Sequence, residues 1–151
     1  MKRTMMLALA CLVAITGRAE MQSQAGADKE AVKAAAMDYI EGLYQAQPEL
    51  IARSVDPKLA KVGYFRRGGD SAISIAPMSY QQLYDLAGTW NKDGKRPTAT
   101  APKEVVVYEV LSQTASAKIT ALWGIDYVHL ARATPDGKWK IVNVLWQEHP
   151  K

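Results

Sequence analysis

Between Glu104 and Gln147 the chain leaves no room for a helix. Val105-Val106-Val107-Tyr108, followed by Val110-Leu111, is a β-branched run, too apolar for a strand with one wet face. Ser112-Gln113-Thr114 reads as a turn. Ala115 to Ala133 is long enough for one extended strand or two, with Gly124 at the natural place for a bulge or bend. Thr134-Pro135-Asp136-Gly137 is a hairpin turn, and Trp139 to Gln147 is a last strand. Parallel neighbours need a crossover of about a dozen residues, usually helical, and none is available here. The segment is therefore expected to form an antiparallel meander.

The preceding segment has a helical period. Asp28 is placed as the N-cap of a helix running to about Gln45, and Val32, Ala36, Tyr39, Ile40 and Leu43 recur on its apolar face. Pro48 can open a second short helix to about Ser54. Asp56-Pro57 interrupts the helical pattern, and Lys58 to Val62 reads as one more helical turn. Tyr64 to Ala76 reads as a loop or weak hairpin, with Gly68-Gly69-Asp70 at its tip. Ser79 caps a third helix carrying Leu83, Leu86, Ala87 and Trp90 on one side, and Asn91 to Pro102 is an exposed loop. Helices followed by strands give an α+β layout, with about three helices on one face of a curved antiparallel sheet.

The first nineteen residues read separately. Lys2 and Arg3 precede an uncharged run from Met5 to Ile15, and Gly17-Arg18-Ala19 offers small residues for cleavage. That order is expected of a secretory signal peptide over residues 1–19, followed by a flexible lead-in over 20–27 and a single domain over 28–151. As a helix the apolar run would span about 16 Å, half a bilayer core, so no stable membrane insertion is expected once the leader is cut. The expected compartment is periplasmic or extracellular. Cys11 offers a second reading as a lipid-modified cysteine; otherwise it leaves with the leader.

The charge changes meaning accordingly. The whole chain of 151 residues carries +4, but Lys2, Arg3 and Arg18 lie before the cut. What remains is 16 basic residues against 15 acidic ones, and no sustained basic stripe or nucleic-acid motif. No nucleic-acid partner is expected. Two histidines and one cysteine supply no metal-ligand spacing, and no phosphate-cradling glycine loop follows a strand, so neither metal nor cofactor is expected.

Four local strings, in this order, resemble the nuclear transport factor 2-like superfamily and within it the small bacterial proteins of the "putative lumazine-binding" family. They are Asp38-Tyr39-Ile40-Glu41-Gly42-Leu43-Tyr44, Val55-Asp56-Pro57-Lys58-Leu59-Ala60-Lys61, Met78-Ser79, and Asp136-Gly137-Lys138-Trp139-Lys140-Ile141-Val142-Asn143. The chain departs from the family pattern at Asp56, where relatives often have histidine before the proline. The resemblance implies a cone of curved sheet capped by three helices, enclosing a pocket. It spans isomerases, dehydratases, cyclases, epoxide hydrolases and non-catalytic binders, so it leaves the activity open.

Tyr39, Tyr64, Trp90, Asp126 and His129 are the candidate ligand-binding residues, with Asp56 a further polar candidate. On a regular strand Asp126 and His129 point to opposite faces and cannot pair. Equally, His129 reads as a half-buried sheet residue, Tyr39 as a core helix residue with its hydroxyl at the edge, and Asp56 as turn chemistry before Pro57. His149 lies close to the C-terminus and is expected to be mobile. Seven Tyr and four Trp stand against one Phe, and Trp123, Tyr127, Trp139 and Trp146 fall on the expected sheet. Such residues favour wet pockets and interfaces, and a homodimer packed through its sheets is expected. The function expected is an exported, non-catalytic protein binding a small hydrophobic or aromatic molecule. The alternatives are a small isomerase, dehydratase or cyclase using a polar pocket residue, or a protein-interaction module using the sheet face.

Overall fold

The structure is a computed structural model that describes residues 2–68, 72–132 and 137–150, with side chains from residue 22 onward. Three helices, α1 (Lys2–Tyr44), α2 (Pro48–Ser54) and α3 (Tyr80–Thr89), lie against six strands. The strands are β1 (Val55–Phe65), β2 (Ser74–Met78), β3 (Glu104–Val110), β4 (Thr114–Ala121), β5 (Gly124–Ala131) and β6 (Lys140–Gln147). They form one unclosed curved sheet in the order β2-β1-β6-β5-β4-β3. The α+β layout, with three helices on one sheet face, stands as expected. The sheet is mixed rather than wholly antiparallel, because β6 runs parallel to β1 while every other pair is antiparallel.

The helical period locates the core. Val32, Ala36, Tyr39, Ile40 and Leu43 are all buried on one face of α1, as their spacing requires. They meet Ile51 of α2, Leu83 and Ala87 of α3, and the inward rows of β4, β5 and β6. Pro48 opens α2. Ser79 caps α3 with a full capping box, its side chain accepting from Gln82 N while the Gln82 side chain accepts from Ser79 N.

Several boundaries differ from expectation. The first helix does not start at Asp28; it is continuous from Lys2, so residues 20–27 are helical. Six of the eight residues there are good helix formers (Glu, Met, Gln, Ala), which outweigh Ser23 and Gly26, and no proline breaks the stretch. Asp28 instead accepts from Arg132 and Trp139 across the core edge. The leader over 1–19 falls on residues whose side chains are outside those described. Lys58 to Val62 is not a helical turn but part of β1, an eleven-residue strand paired on both sides. Its ladder slips between Val55 and Ala60, and there Asp56 accepts from Lys58 N at 2.7 Å, the turn role anticipated for it. Tyr64 to Ala76 contributes a true hairpin, β1 to β2, whose tip lies partly outside the described residues, as does most of the turn at 134–137.

Ala115 to Ala133 holds two strands, hinged at Leu122-Trp123. Gly124 has φ +140°, and a Cβ there would sit 2.1 Å from Gln147 O, so glycine is required. β3 is not covered on both faces; it is an edge strand with Val106 and Tyr108 exposed. Among the described residues no helix is long and apolar enough to cross a membrane.

Candidate functional site

The inward floor of the sheet carries the chemistry. Register places Lys61 of β1 opposite Val144, Gly63 opposite Trp146, and Asp126 of β5 opposite Trp146 from the other side. Alternation then sends Lys61, Asp126 and Trp146 toward the helices. Trp146 fits because Gly63 lacks a side chain: a Cβ there would lie 2.3 Å from Cε3 of the indole.

Over this floor the helices leave a cavity of about 230 Å³, lined by Tyr39, Lys61, Trp90, Trp123 and Trp146 together with Leu and Met side chains from α1, β2 and α3. One wall is an aromatic stack. Trp90 lies parallel on Tyr44 at 5.9 Å and edge-on to Trp123 at 5.5 Å, while Tyr39 meets Trp123 edge-to-face at 6.0 Å. The Tyr44 hydroxyl fixes that wall, donating to Pro102 O and accepting from Leu122 N. Asn91 and Arg96 brace the outer side, where Arg96 lies 4.3 Å over the Trp90 ring and Asn91 donates to Tyr44 O.

Beneath the lining sits a polar cluster. Lys61 Nζ donates to Tyr39 Oη at 2.7 Å and faces Asp126 Oδ1 at 3.3 Å. Trp123 Nε1 donates to Asp126 Oδ2 at 2.6 Å. Asp126 is fully buried and the Lys61 side chain is only 9% exposed. Burial pushes the Asp126 carboxyl up against the opposing pull of Lys61 and Trp123. Burial likewise pushes the Lys61 amine down, opposed by Asp126. The Tyr39 phenol is held well above its ordinary value by burial, with the Asp126 charge adding to it. The cluster can therefore hold a proton at any of three atoms. Trp146 Nε1 is buried with no acceptor among the described residues.

Three of the five candidate residues meet at this cavity. Tyr39 and Trp90 line it, and Asp126 lies directly behind the lining. Tyr64 and His129 do not join them. Tyr64 is 40% exposed on the outer face opposite Ile75, and His129 is an exposed cross-strand neighbour of Asn143, 3.0 Å from its Oδ1. The opposite facing of Asp126 and His129 follows the strand alternation. His149 ring Nε2 lies 2.8 Å from Ala121 O. Of the four aromatics placed on the sheet, Trp123 is in the β4–β5 turn, Trp139 precedes β6, Trp146 faces inward and Tyr127 alone faces outward. Lys61 and Trp123 were not among the candidate site residues. Lys61 gave no signal while its segment read as helical, whereas a tryptophan beside Gly124 at a bend could have marked the second.

Such a curved sheet under three helices, with a pocket between, is the architecture of nuclear transport factor 2-like proteins. A protein of this type of unknown function from Shewanella baltica superposes with a TM-score of 0.61 at 18% identity, covering 82% of this chain and 94% of that one. One with a cystatin-like fold from Novosphingobium aromaticivorans gives 0.57 at 12% identity, covering 91% and 89%. A protein described as a putative dehydratase of the same superfamily, from Streptomyces avermitilis, gives 0.52 at 16% identity, covering 84% and 99%. No curated protein matches the chain. The chain belongs to the "Putative lumazine-binding" family, whose model matches residues 27–147.

Proposed function

We propose that this chain is an exported protein that holds a small hydrophobic or aromatic molecule in the cavity between its helices and sheet, without turning it over. The observation that carries this reading is the 230 Å³ cavity, walled by three tryptophans and a tyrosine with a single amine at its floor. A dry apolar cavity of about 150 Å³ takes benzene, so the volume suits one or two fused rings. The family's description supports a small ligand. Calorimetric titration with indole should show saturable binding that Leu83→Trp, which fills the cavity, abolishes. No saturable change with indole or any similar one- or two-ring compound would overturn the reading.

Export rests on the charge and apolar order of residues 1–19. Fractionation of the source cells with mass measurement of the recovered chain should give a periplasmic or secreted product lacking about the first nineteen residues. A full-length chain in the cytosol contradicts it. Dimerisation rests on the outer sheet face, where the register runs Val62–Leu145–Tyr127–Lys118–Val106 across five strands, with Leu145 and Tyr127 each 44% exposed.

A second reading as an acid–base enzyme is favoured by one specific feature, the buried Asp126–Lys61–Tyr39 cluster against the cavity. The fold likeness to the dehydratase-described protein is in keeping with it.

A further inference from the structure

We infer that Lys61 is a covalent anchor: a small aromatic aldehyde or ketone in the cavity is held as a Schiff base on its Nζ. The inference rests on the reading of the cavity as a ligand site and names the chemical class of the ligand.

Three observations place the chemistry. Lys61 is the one lysine among the cavity's lining residues, and the rest of the lining is aliphatic and aromatic apart from the Tyr39 hydroxyl. Asp126, fully buried, stands 3.3 Å from Nζ with its other oxygen already taken by Trp123, so it is fixed in place to accept a proton. Tyr39 Oη, at 2.7 Å from the same Nζ, is the hydroxyl within reach of an oxygen developing on a carbonyl attacked by that amine. A buried amine in an apolar site also loses its proton more readily than a surface one, and burial acts on Lys61 in that direction.

The steps balance. The Lys61 ammonium passes a proton to the Asp126 carboxylate, leaving a free amine and a carboxylic acid. The nitrogen lone pair forms the C–N bond while the carbonyl π pair moves to oxygen, which takes a proton from the Tyr39 phenol; the new nitrogen gives one back. The C–O bond of the carbinolamine then breaks, its hydroxyl leaving as water with the proton returned by Asp126. Ammonium plus carbonyl becomes iminium plus water. The positive charge stays beside the Asp126 carboxylate, so the buried ion pair present before the reaction is present after it.

The test uses the purified chain, benzaldehyde and sodium cyanoborohydride near neutral pH, with the benzylated lysines located by peptide mass spectrometry. Exposed lysines such as Lys29 and Lys92 serve as internal controls. Labelling at Lys61 well in excess of theirs is the expected result. Lys61→Met should lose that adduct. Benzyl alcohol, which has no carbonyl, reports occupancy alone through tryptophan quenching. If it quenches and Lys61 is labelled no faster than the exposed lysines, the covalent anchor is overturned and the cavity reading stands. If neither compound quenches and Lys61 is unlabelled, both fall.

Discussion

Asp126 is the residue on which the site turns, because it is a fully buried carboxylate with its partners already in place. Asp126→Ala leaves the Lys61 ammonium buried and without its counter-charge, a change expected to cost about 3–5 kcal/mol in urea unfolding. Replacing both members, as Asp126→Leu with Lys61→Met, should recover most of that loss, since an apolar pair of similar volume is often neutral in such a place. Tyr39 gives a pH signature. Its phenol is raised in the folded chain, so the folded state keeps a proton that the unfolded chain gives up above about pH 10. Protonated Tyr39 thus contributes stability that is present below that pH and lost as pH rises toward the folded value. Tyr39→Phe should flatten the alkaline fall in stability measured by denaturation at successive pH values. Tyr39 and Asp126 could be picked out beforehand because the faces they share with buried neighbours are set by local period. Lys61 could not, since its meeting with them depends on the β1–β6 register, a pairing of segments about eighty residues apart in sequence.

At the scale of elements, β1 shows where local pattern fails. Leu59 and Val62 are three apart, as on a helix, even though Asp56-Pro57 interrupts the helical pattern before them. What decides the outcome is position: β1 sits inside the sheet with β2 on one side and β6 on the other, and the ladder hydrogen bonds outweigh a short helical turn. α3, by contrast, was legible because Ser79 states its start chemically, and the structure adds Gln82 as the other half of the capping box. Ser79→Ala should cost about 1 kcal/mol by thermal or chemical denaturation. Gly63→Ala tests the packing between β1 and β6. A Cβ at 2.3 Å from the Trp146 indole forces the ring aside, with an expected loss of about 1–3 kcal/mol and altered intrinsic fluorescence. Because Trp146 is part of the cavity lining, the same variant should weaken indole binding measured by calorimetry.

For the whole molecule, the outer sheet face and the inner cavity are separable. Tyr127→Asp places a charge in the middle of the exposed row without touching the inward residues of β5. Light scattering should then report a monomer in place of a dimer, while indole titration of the cavity is unchanged. A wild-type chain that is monomeric at all concentrations removes the dimer proposal. The three-helix α+β frame was readable from the change of period along the chain, whereas the parallel pair at its centre was not, because nothing local to β1 or β6 announces it.

That parallel pair also fixes the order of events in folding. β6 holds β2-β1 on one side and β5-β4-β3 on the other, so neither half of the sheet is joined to the other until the last strand is in place. Contacts of such long sequence separation are slow to form. A chain emerging from the ribosome has neither a joined sheet nor a floor for its cavity until β6 is free to pair.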